Sequence, residues 1–482
     1  MSRVKTFFSQ IFKNWAEQLA KPAQRKNILK KDIPFPSWLL GLIISLSVLT
    51  ALGAEFGFER SLLAGSAVFV ILWAYSAFSF VKNEKQMNPS KILLSGLVII
   101  MAVLLTQLAK SKEISMYFVF TPAAASLLNF LVSRRAAEKA ALLISVTVAF
   151  IYLGNFEMFF ISFIGGLGAI AFPRRIIKRA DIFLNGLSIF IFLFAANLAL
   201  KLLGIYSGNF IYDGIRTPFF VAAISSVFIM SFFPLFEWAF NITSDVRLIE
   251  LGDFNHPLLK KLMLEAPGTY HHSLMVAALS EAAASAIKCN SLLARVGAYY
   301  HDVGKIGKAQ YFIENQLEGN VHEMLKPEMS VLVILSHVKE GIKLAGEAGV
   351  DECILDFIAQ HHGTTTVQYF FRKAEISGGE HDETVYKYPG PLPQTRETAI
   401  VMLADSVEAA CRAIEDPSYE KVKDVVHKII NSYFASGQLN ECPITLENIQ
   451  KIGDIFTKTL ISIHHIRLDY SAADKPPAEK QQ

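Results

Sequence analysis

The stretch that decides the reading is Tyr299-Tyr300-His301-Asp302-Val303-Gly304-Lys305, a His-Asp pair at the end of an apolar helix, followed by a glycine break. Burying such a pair costs on the order of several kcal/mol unless its charges are matched, so it demands partners. Working outward, His272, His337, His361, His362 and Asp405 all fall in or beside segments with helical hydrophobic spacing. In 269–287, His272, Met275, Val276, Leu279 and Ala283 share one face. Asn290-Ser291 opens the helix through Leu293, Val296 and Tyr300, and Gly304 ends it. Pro327 starts another, with Val331, Ile334, Leu335, Val338 and Ile342 on the side that also carries His337. Asp351 caps the next, where Ile354, Phe357, Ile358 and His361 form a stripe that stops at Gly363. A last helix, over about 395–415, sets Asp405 inside the apolar run Val401-Met402-Leu403-Ala404-Asp405-Ser406-Val407.

One inward histidine is most often a satisfied core residue. Four helices that each turn a His or an Asp inward are better explained by bound metal. A carboxylate in the run around Asp405 needs a cation, and the adjacent imidazoles His361 and His362 repel when charged, which a metal relieves by holding both neutral. A His- and Asp-rich set without Cys suits Mn or Fe, and suits a structural zinc less well.

The rest of the composition separates two halves. All 12 His lie between His256 and His465, and the first half has none. The 4 Cys (Cys289, Cys353, Cys411, Cys442) form no CxxC and fall in the same half, the pattern of free thiols in a reducing compartment. Net charge is only +3, which predicts no nucleic-acid polymer as partner.

The first half reads as a membrane domain. Residues 1–36 are basic, and apolar runs follow at about 37–54, 61–81, 92–109, 116–133, 139–153, 155–171, 182–204 and 218–240. With 1–36 cytoplasmic, alternate loops should be basic, and they are: Lys82, Lys85 and Lys91, then Arg134, Arg135 and Lys139, then Arg174, Arg175, Lys178 and Arg179. The opposite loops hold only Arg60, Lys110, Lys112 and Arg216. Eight spans fit both this bias and the parity that returns the chain to the cytoplasm. Seven is the alternative, if the fifth and sixth runs, split only by Gly154-Asn155, form one kinked or re-entrant hairpin. The runs are nearly free of ionisable groups, with Glu157 at an edge and Glu237 near an end, so this half reads as an anchor and not a conduit. Gly165-Gly166-x-Gly168 allows close helix packing. The expected organisation is therefore all-α: a basic segment (1–36), a polytopic transmembrane helical bundle (37–240), a cytoplasmic all-helical domain (241–470) and a disordered polar tail (471–482).

His272, then His301-Asp302, then Asp405 resembles the H…HD…D signature of the HD phosphohydrolase superfamily. The resemblance tightens with LEAPGTYHHS at 264–273, HDVGKIGKAQYFIENQ at 301–316, ILSHVKEG at 334–341, QHHGTT at 360–365, YPGPLPQ at 388–394 and MLADSVEAA at 402–410. Together these are similar to the PgpH-type seven-transmembrane HD proteins, membrane phosphodiesterases of cyclic di-AMP. The resemblance implies a centre of two divalent ions, Mn or Fe, with His272, His301, Asp302 and Asp405 on one ion and Asp302 bridging to a second held by His337, His361 and His362. It implies attack by a metal-bridging hydroxide that yields linear pApA, with Lys305 within reach of a phosphate oxygen. His271 is expected to be a second-shell or core residue, and His256, His322, His381, His427, His464 and His465 to be ordinary.

The resemblance further implies a lipid bilayer as partner and an inner (plasma) membrane location, with the N-terminus and the HD domain cytoplasmic. A homo-oligomer is left open. Family members commonly carry a large extracytoplasmic domain after the first span; here Gly53–Arg60 is all that fills that gap, so input through such a domain is not expected. Cyclic di-GMP hydrolysis by the related HD-GYP group is the alternative enzyme, set back because Gly363-Thr364-Thr365-Thr366 follows the paired histidines in place of that group's motif. A receptor that binds a nucleotide without turning it over is the non-enzyme alternative, set back by the complete ligand set.

Overall fold

The structure, a computed structural model, describes residues 89–172, 178–316, 320–376, 382–414 and 418–463. The basic segment 1–36, the expected spans 37–54 and 61–81, the gap Gly53–Arg60, Lys82, Lys85, Arg174, Arg175, His381, His464, His465 and the tail 471–482 lie outside the described residues. The described chain is helical throughout, its only β contact being an isolated bridge between Thr366 and Lys387, and it divides into two compact units between Val246 and Arg247.

The first unit contains α1 (Pro89–Ser111), α2 (Thr121–Leu131), α3 (Arg134–Ile151), α4 (Phe156–Ala171), α5 (Arg179–Leu202) and α6 (Thr217–Phe240), with a π-helical turn at Phe210–Arg216 leading into α6. Among the described residues, three stretches are long and apolar enough to cross a membrane: Ser90–Ser111, Ala180–Leu202 and Phe210–Phe240.

The run at 116–133 departs from expectation. Its helix has 11 residues, about 16 Å at 1.5 Å per residue, so the expected span is not one crossing helix. Pro122 sets the reason, because proline is accepted in a first turn and not in a helix interior. The fifth and sixth runs form two separate helices. Ser133 caps the first by accepting from Ala136 N, and Asn155 caps the second by accepting from Glu157 N. Between them Leu153 and Gly154 take positive φ (64° and 80°), which turns the chain back.

The Gly165-Gly166-x-Gly168 stripe is where α4 meets its neighbours. A Cβ on these glycines would stand 2.6 Å from Leu193 Cδ2, 2.7 Å from Ala141 Cβ and 2.6 Å from Phe192 Cβ, so α3 and α5 approach as only glycine permits. Glu157 stands at the edge of its run, in the first turn of α4, and is buried there. It is 2% exposed and accepts from Tyr117 Oη and Ser207 Oγ, both at 2.5 Å, which ties the segment before α6 to the start of α4.

The second unit begins within α7 (Asp245–Leu251) and continues with α8 (Pro257–Glu265), α9 (Pro267–Ala286), α10 (Ser291–Tyr300), a 3-10 segment (Val303–Tyr311), α11 (Pro327–Glu347), α12 (Glu352–Gln360), α13 (Gln368–Ile376), α14 (Arg396–Arg412), α15 (Tyr419–Ala435) and α16 (Leu446–Ile463). Helix α10 joins two cores. Ala294 and Ala298 face one core with Val276, Leu279, Met402, Leu403 and Phe456, while Val296 and Tyr300 face another with Leu251, Leu262, Val303 and Ile354. That division follows from 3.6-residue periodicity on a helix apolar on two sides. Asn290 caps α10 as expected, accepting from Leu293 N, and Thr395 caps α14, accepting from Thr398 N. Asp351 stands at the N-cap of α12 but gives its carboxylate to Arg247 Nε at 3.0 Å. All four cysteines are free.

Candidate metal centre

Two dipeptides of the site sit where helices run out. His301 is the C-cap of α10, and His361 the C-cap of α12. Carbonyls in a last helical turn lack intrahelical partners, and the two rings use them: His301 Nδ1 donates to Ala298 O (2.7 Å) and His361 Nδ1 to Ile358 O (2.9 Å). His337, within α11, donates Nδ1 to Ile334 O at 2.5 Å. Each ring is thereby held with Nε2 pointing into the site, the tautomer a metal ligand requires. His272 is fixed differently, donating Nδ1 to Glu408 Oε2 at 2.5 Å.

Helix α11 comes this close because of one glycine. A Cβ on Gly304 would fall 1.8 Å from His337 O and 2.5 Å from Gly341 N, so only glycine lets the turn after Asp302 lie against α11. That contact sets His337 beside Asp302. Asp302 is 1% exposed and divides its two oxygens. Its Oδ1 lies 3.4 Å from His337 Nε2 and 3.6 Å from His361 Nε2. Its Oδ2 lies 3.3 Å from His301 Nε2, 3.8 Å from His272 Nε2 and 2.6 Å from Lys305 Nζ. Asp405 Oδ1 lies 3.0 Å from His272 Nε2 and 3.8 Å from His301 Nε2, while its Oδ2 is 3.7 Å from His362 Nδ1. His362 stacks on Tyr388 with centroids 4.1 Å apart.

The donors therefore fall into two adjoining sets: Asp302, His337, His361 and His362; and His272, His301 and Asp405. In each set one donor atom per residue lies within 4.8 Å of all the others. Two atoms show that these residues fit cations. His301 Nε2 and Asp302 Oδ1 are buried with no hydrogen-bond partner, an arrangement that proteins otherwise avoid. The donor set of imidazole nitrogens and carboxylate oxygens is one that divalent ions take.

The electrostatics differ across the site. Burial, reinforced by the neighbouring His361 and outweighing the pull of Asp302, lowers His337 to about 3, and burial with His361 beside it holds His362 well below the ordinary histidine value. Burial opposes charge on His301 as well, but the Asp302 and Asp405 carboxylates outweigh it and raise that ring to about 10. His272 is raised in the same sense, burial being outweighed by Asp405 and Glu408. Burial disfavours charge on Asp302 and Asp405 too, yet Lys305 and His301 for the first, and His272 and His301 for the second, hold both carboxyls well below the usual range.

All seven expected ligands come together. Lys305 does so in a different posture: its ammonium lies between Asp302 Oδ2 (2.6 Å) and Glu314 Oε1 (2.8 Å), with Glu314 tied to α9 through Thr269 Oγ1 (3.0 Å). His271 is exposed and is neither second shell nor core, a correction that follows from its place one residue (~100°) around α9 from His272. His322 lies outside both donor sets, its Nε2 donating to Tyr311 O at 2.7 Å. Glu408 was not singled out by the sequence, although its place three residues after Asp405 on one helix puts both on the same face. Glu314 was quoted there only as part of a motif.

An all-helical unit holding His272, His301-Asp302 and Asp405 at one buried point defines an HD domain, and the HD-domain family model matches residues 269–410. A second family model, described as a 7TM receptor with intracellular HD hydrolase, matches residues 60–244. With both models matched in this order, the chain is similar to the PgpH-type seven-transmembrane HD proteins. It is 36% identical over 429 residues to the cyclic-di-AMP phosphodiesterase PgpH of Listeria monocytogenes, covering 84% of this chain and 58% of that protein. It is 34% identical over 425 residues to the protein of the same name from Bacillus subtilis, covering 85% and 59%. The chain thus spans less than two thirds of either relative. The crystal structure of the L. monocytogenes PgpH HD domain is 49% identical, covering 44% of this chain and 100% of that one, with a TM-score of 0.42.

Proposed function

We propose that this chain is a membrane-anchored, metal-dependent phosphodiesterase that hydrolyses cyclic di-AMP to linear pApA at the cytoplasmic face of the inner (plasma) membrane. The observation that carries the metal centre is the pair His337 and His361, whose Nε2 atoms face each other at 3.3 Å while both Nδ1 atoms donate to backbone carbonyls. Two lone pairs held that close repel unless a cation lies between them and a carboxylate. Asp302 is that carboxylate. The names of the Listeria and Bacillus relatives support the reaction and the adenine dinucleotide.

The proposed ligands are His272, His301, Asp302 and Asp405 for one divalent ion and Asp302, His337, His361 and His362 for the other, with Mn or Fe favoured by the donors. Two such ions, when bound, would acidify a shared water to hydroxide and neutralise charge developing on phosphorus. The protein's own part is positioning. Backbone carbonyls orient three rings, Glu408 orients the fourth, and Lys305 with Glu314 keeps Asp302 ionised and in place. Lys305 would have to leave Glu314 to reach a phosphate oxygen. Apolar packing beneath the site excludes bulk water from behind the ligands.

The membrane placement is supported by the apolar helices, and a cytoplasmic N-terminus and HD domain by the charge bias of the loops. The test is to purify the full chain in detergent, load it with Mn²⁺, and offer cyclic di-AMP and cyclic di-GMP separately. Linear pApA from the first, with slower turnover of the second, is expected. Faster turnover of the guanine dinucleotide would overturn the substrate, and no turnover of either with metal bound would overturn the enzyme.

A further inference from the structure

The two donor sets are built from unlike parts. Three of the rings, His301, His337 and His361, lean on carbonyls of their own helices, which are neutral dipoles. His272 alone among them leans on a full charge, Glu408, at 2.5 Å. Glu408 is 7% exposed, and its two oxygens face His272 Nδ1 and Arg412 Nη1 (3.7 Å), so it is not itself placed as a ligand. Arg412 is 41% exposed, and solvent screens much of what it would take from Glu408. Helix α14 thus supplies both a ligand, Asp405, and, one turn on, the group that orients another.

What divides the sets is the group behind the ring. His272 and His301 face Asp405 Oδ1 and Asp302 Oδ2, and His272 has the Glu408 carboxylate behind it. On the other side, His337 and His361 share Oδ1 of Asp302 and have only backbone carbonyls behind them, while His362 Nδ1 faces Asp405 Oδ2 at 3.7 Å. Lys305 counts against the first set, but its charge is divided between Asp302 and Glu314. A hydrogen bond to a carboxylate makes an imidazole a stronger donor to metal than one to a carbonyl does, and it fixes the ring more firmly.

We propose that the two ion positions are unequal, that the one held by His272, His301 and Asp405 is the tighter, and that Glu408 makes it so by positioning His272. This rests on the two-ion reading above. Glu408 is a positioning residue, acting through the ring it holds.

The experiment is a Mn²⁺ titration of the chelator-stripped full chain in detergent, followed by metal analysis and by the Mn²⁺ electron paramagnetic resonance signal, with no substrate present. Wild type is expected to show two affinity classes, the tighter surviving desalting. Glu408→Gln is expected to weaken that class by about 10- to 100-fold and leave the weaker one unchanged. Glu408→Asp, which keeps the charge and shortens the reach, is expected to lose less than Glu408→Gln; an equal loss in both would overturn the assignment, whatever either does to the metal-free melting temperature. A wild-type tight class in Glu408→Gln would overturn the role of Glu408. Two equal classes in the wild type would overturn the inequality. A wild-type chain that binds one ion or none would overturn the two-ion reading itself, a result distinct from the others.

Discussion

His337 and His361 present their Nε2 atoms to each other at 3.3 Å, each ring pinned from behind by a carbonyl of its own helix. Neither ring can relieve the contact by changing tautomer without losing that bond. The two helices that carry them, α11 and α12, pack on each other, so the pair is held by the fold and not by the rings. A cation held with Asp302 Oδ1 turns this opposition into joint ligation. The metal-stripped chain should therefore be less stable than the loaded one. At ion concentrations of 100 times Kd, loading contributes about 2.7 kcal/mol per site, and each kcal/mol is worth about 2–4 °C in a unit of this size. Calorimetry of the full chain with and without chelator should show a fall of at least about 5 °C in the transition of the helical unit after Arg247; an unchanged transition would contradict the account.

Gly304 tests how the ligands are brought together. A Cβ there meets backbone, His337 O at 1.8 Å, and backbone cannot rotate aside. Gly304→Ala is expected to push α11 away, costing about 3 kcal/mol or more, at or beyond the upper end of ordinary overpacking. Metal uptake should fall with it. Gly307, one turn further along the same 3-10 segment and open to a Cβ, is the control: Gly307→Ala should change neither.

The Lys305–Glu314 pair gives a pH signature. Burial raises the Glu314 carboxyl, but the Lys305 ammonium beside it outweighs burial and leaves the net value below the usual glutamate. A carboxyl depressed in the folded state contributes stability in full above its unfolded value, about 4.3, and loses it as pH falls through the depressed folded value. Glu314→Gln should thus be less stable at neutral pH by about 1.5–3 kcal/mol, the worth of one hydrogen bond to a charged group, since Lys305 keeps Asp302. The gap should narrow on acidification below about pH 4.3. Urea unfolding of both proteins at neutral and acidic pH checks it; a gap independent of pH would show that the carboxylate charge does not matter there.

Tyr388 is expected to steady His362, the ligand whose ring stacks on it. Tyr388→Phe keeps the stacking surface and should retain metal stoichiometry. Tyr388→Leu removes it and should lower occupancy on the His337, His361 and His362 side by about tenfold. Metal analysis of the two variants after identical loading separates these outcomes.

The helices and the candidate ligands were legible because each of these residues sits on or beside a strongly periodic apolar face, and because the His-Asp and His-His pairs fall just before a glycine stop. What the sequence could not disclose were partners supplied from far along the chain. Glu408 lies 136 residues from His272 and, four before Arg412, looks like half of an ordinary surface ion pair. Lys305 reads as a free cation until Glu314 folds back on it, an approach that needs Gly268, where a Cβ would stand 1.8 Å from Glu314 O. In the membrane unit, hydropathy alone joined 116–120 to α2, although Pro122 at the helix start marks the break. Glu157 was legible as an edge residue, but not its burial, because its hydroxyl partners, Tyr117 and Ser207, are 40 residues before it and 50 after.

The central claim is that Asp302 joins two ions by its two oxygens. The most direct measurement is the low-temperature electron paramagnetic resonance spectrum of the full chain loaded with Mn²⁺. Two ions sharing the Asp302 carboxylate are expected to give the multiline signal of a spin-coupled pair, which Asp302→Asn abolishes while the helical content stays as in the wild type. A fully loaded chain showing only the six-line signal of isolated Mn²⁺, or a coupled signal that persists in Asp302→Asn, would contradict it.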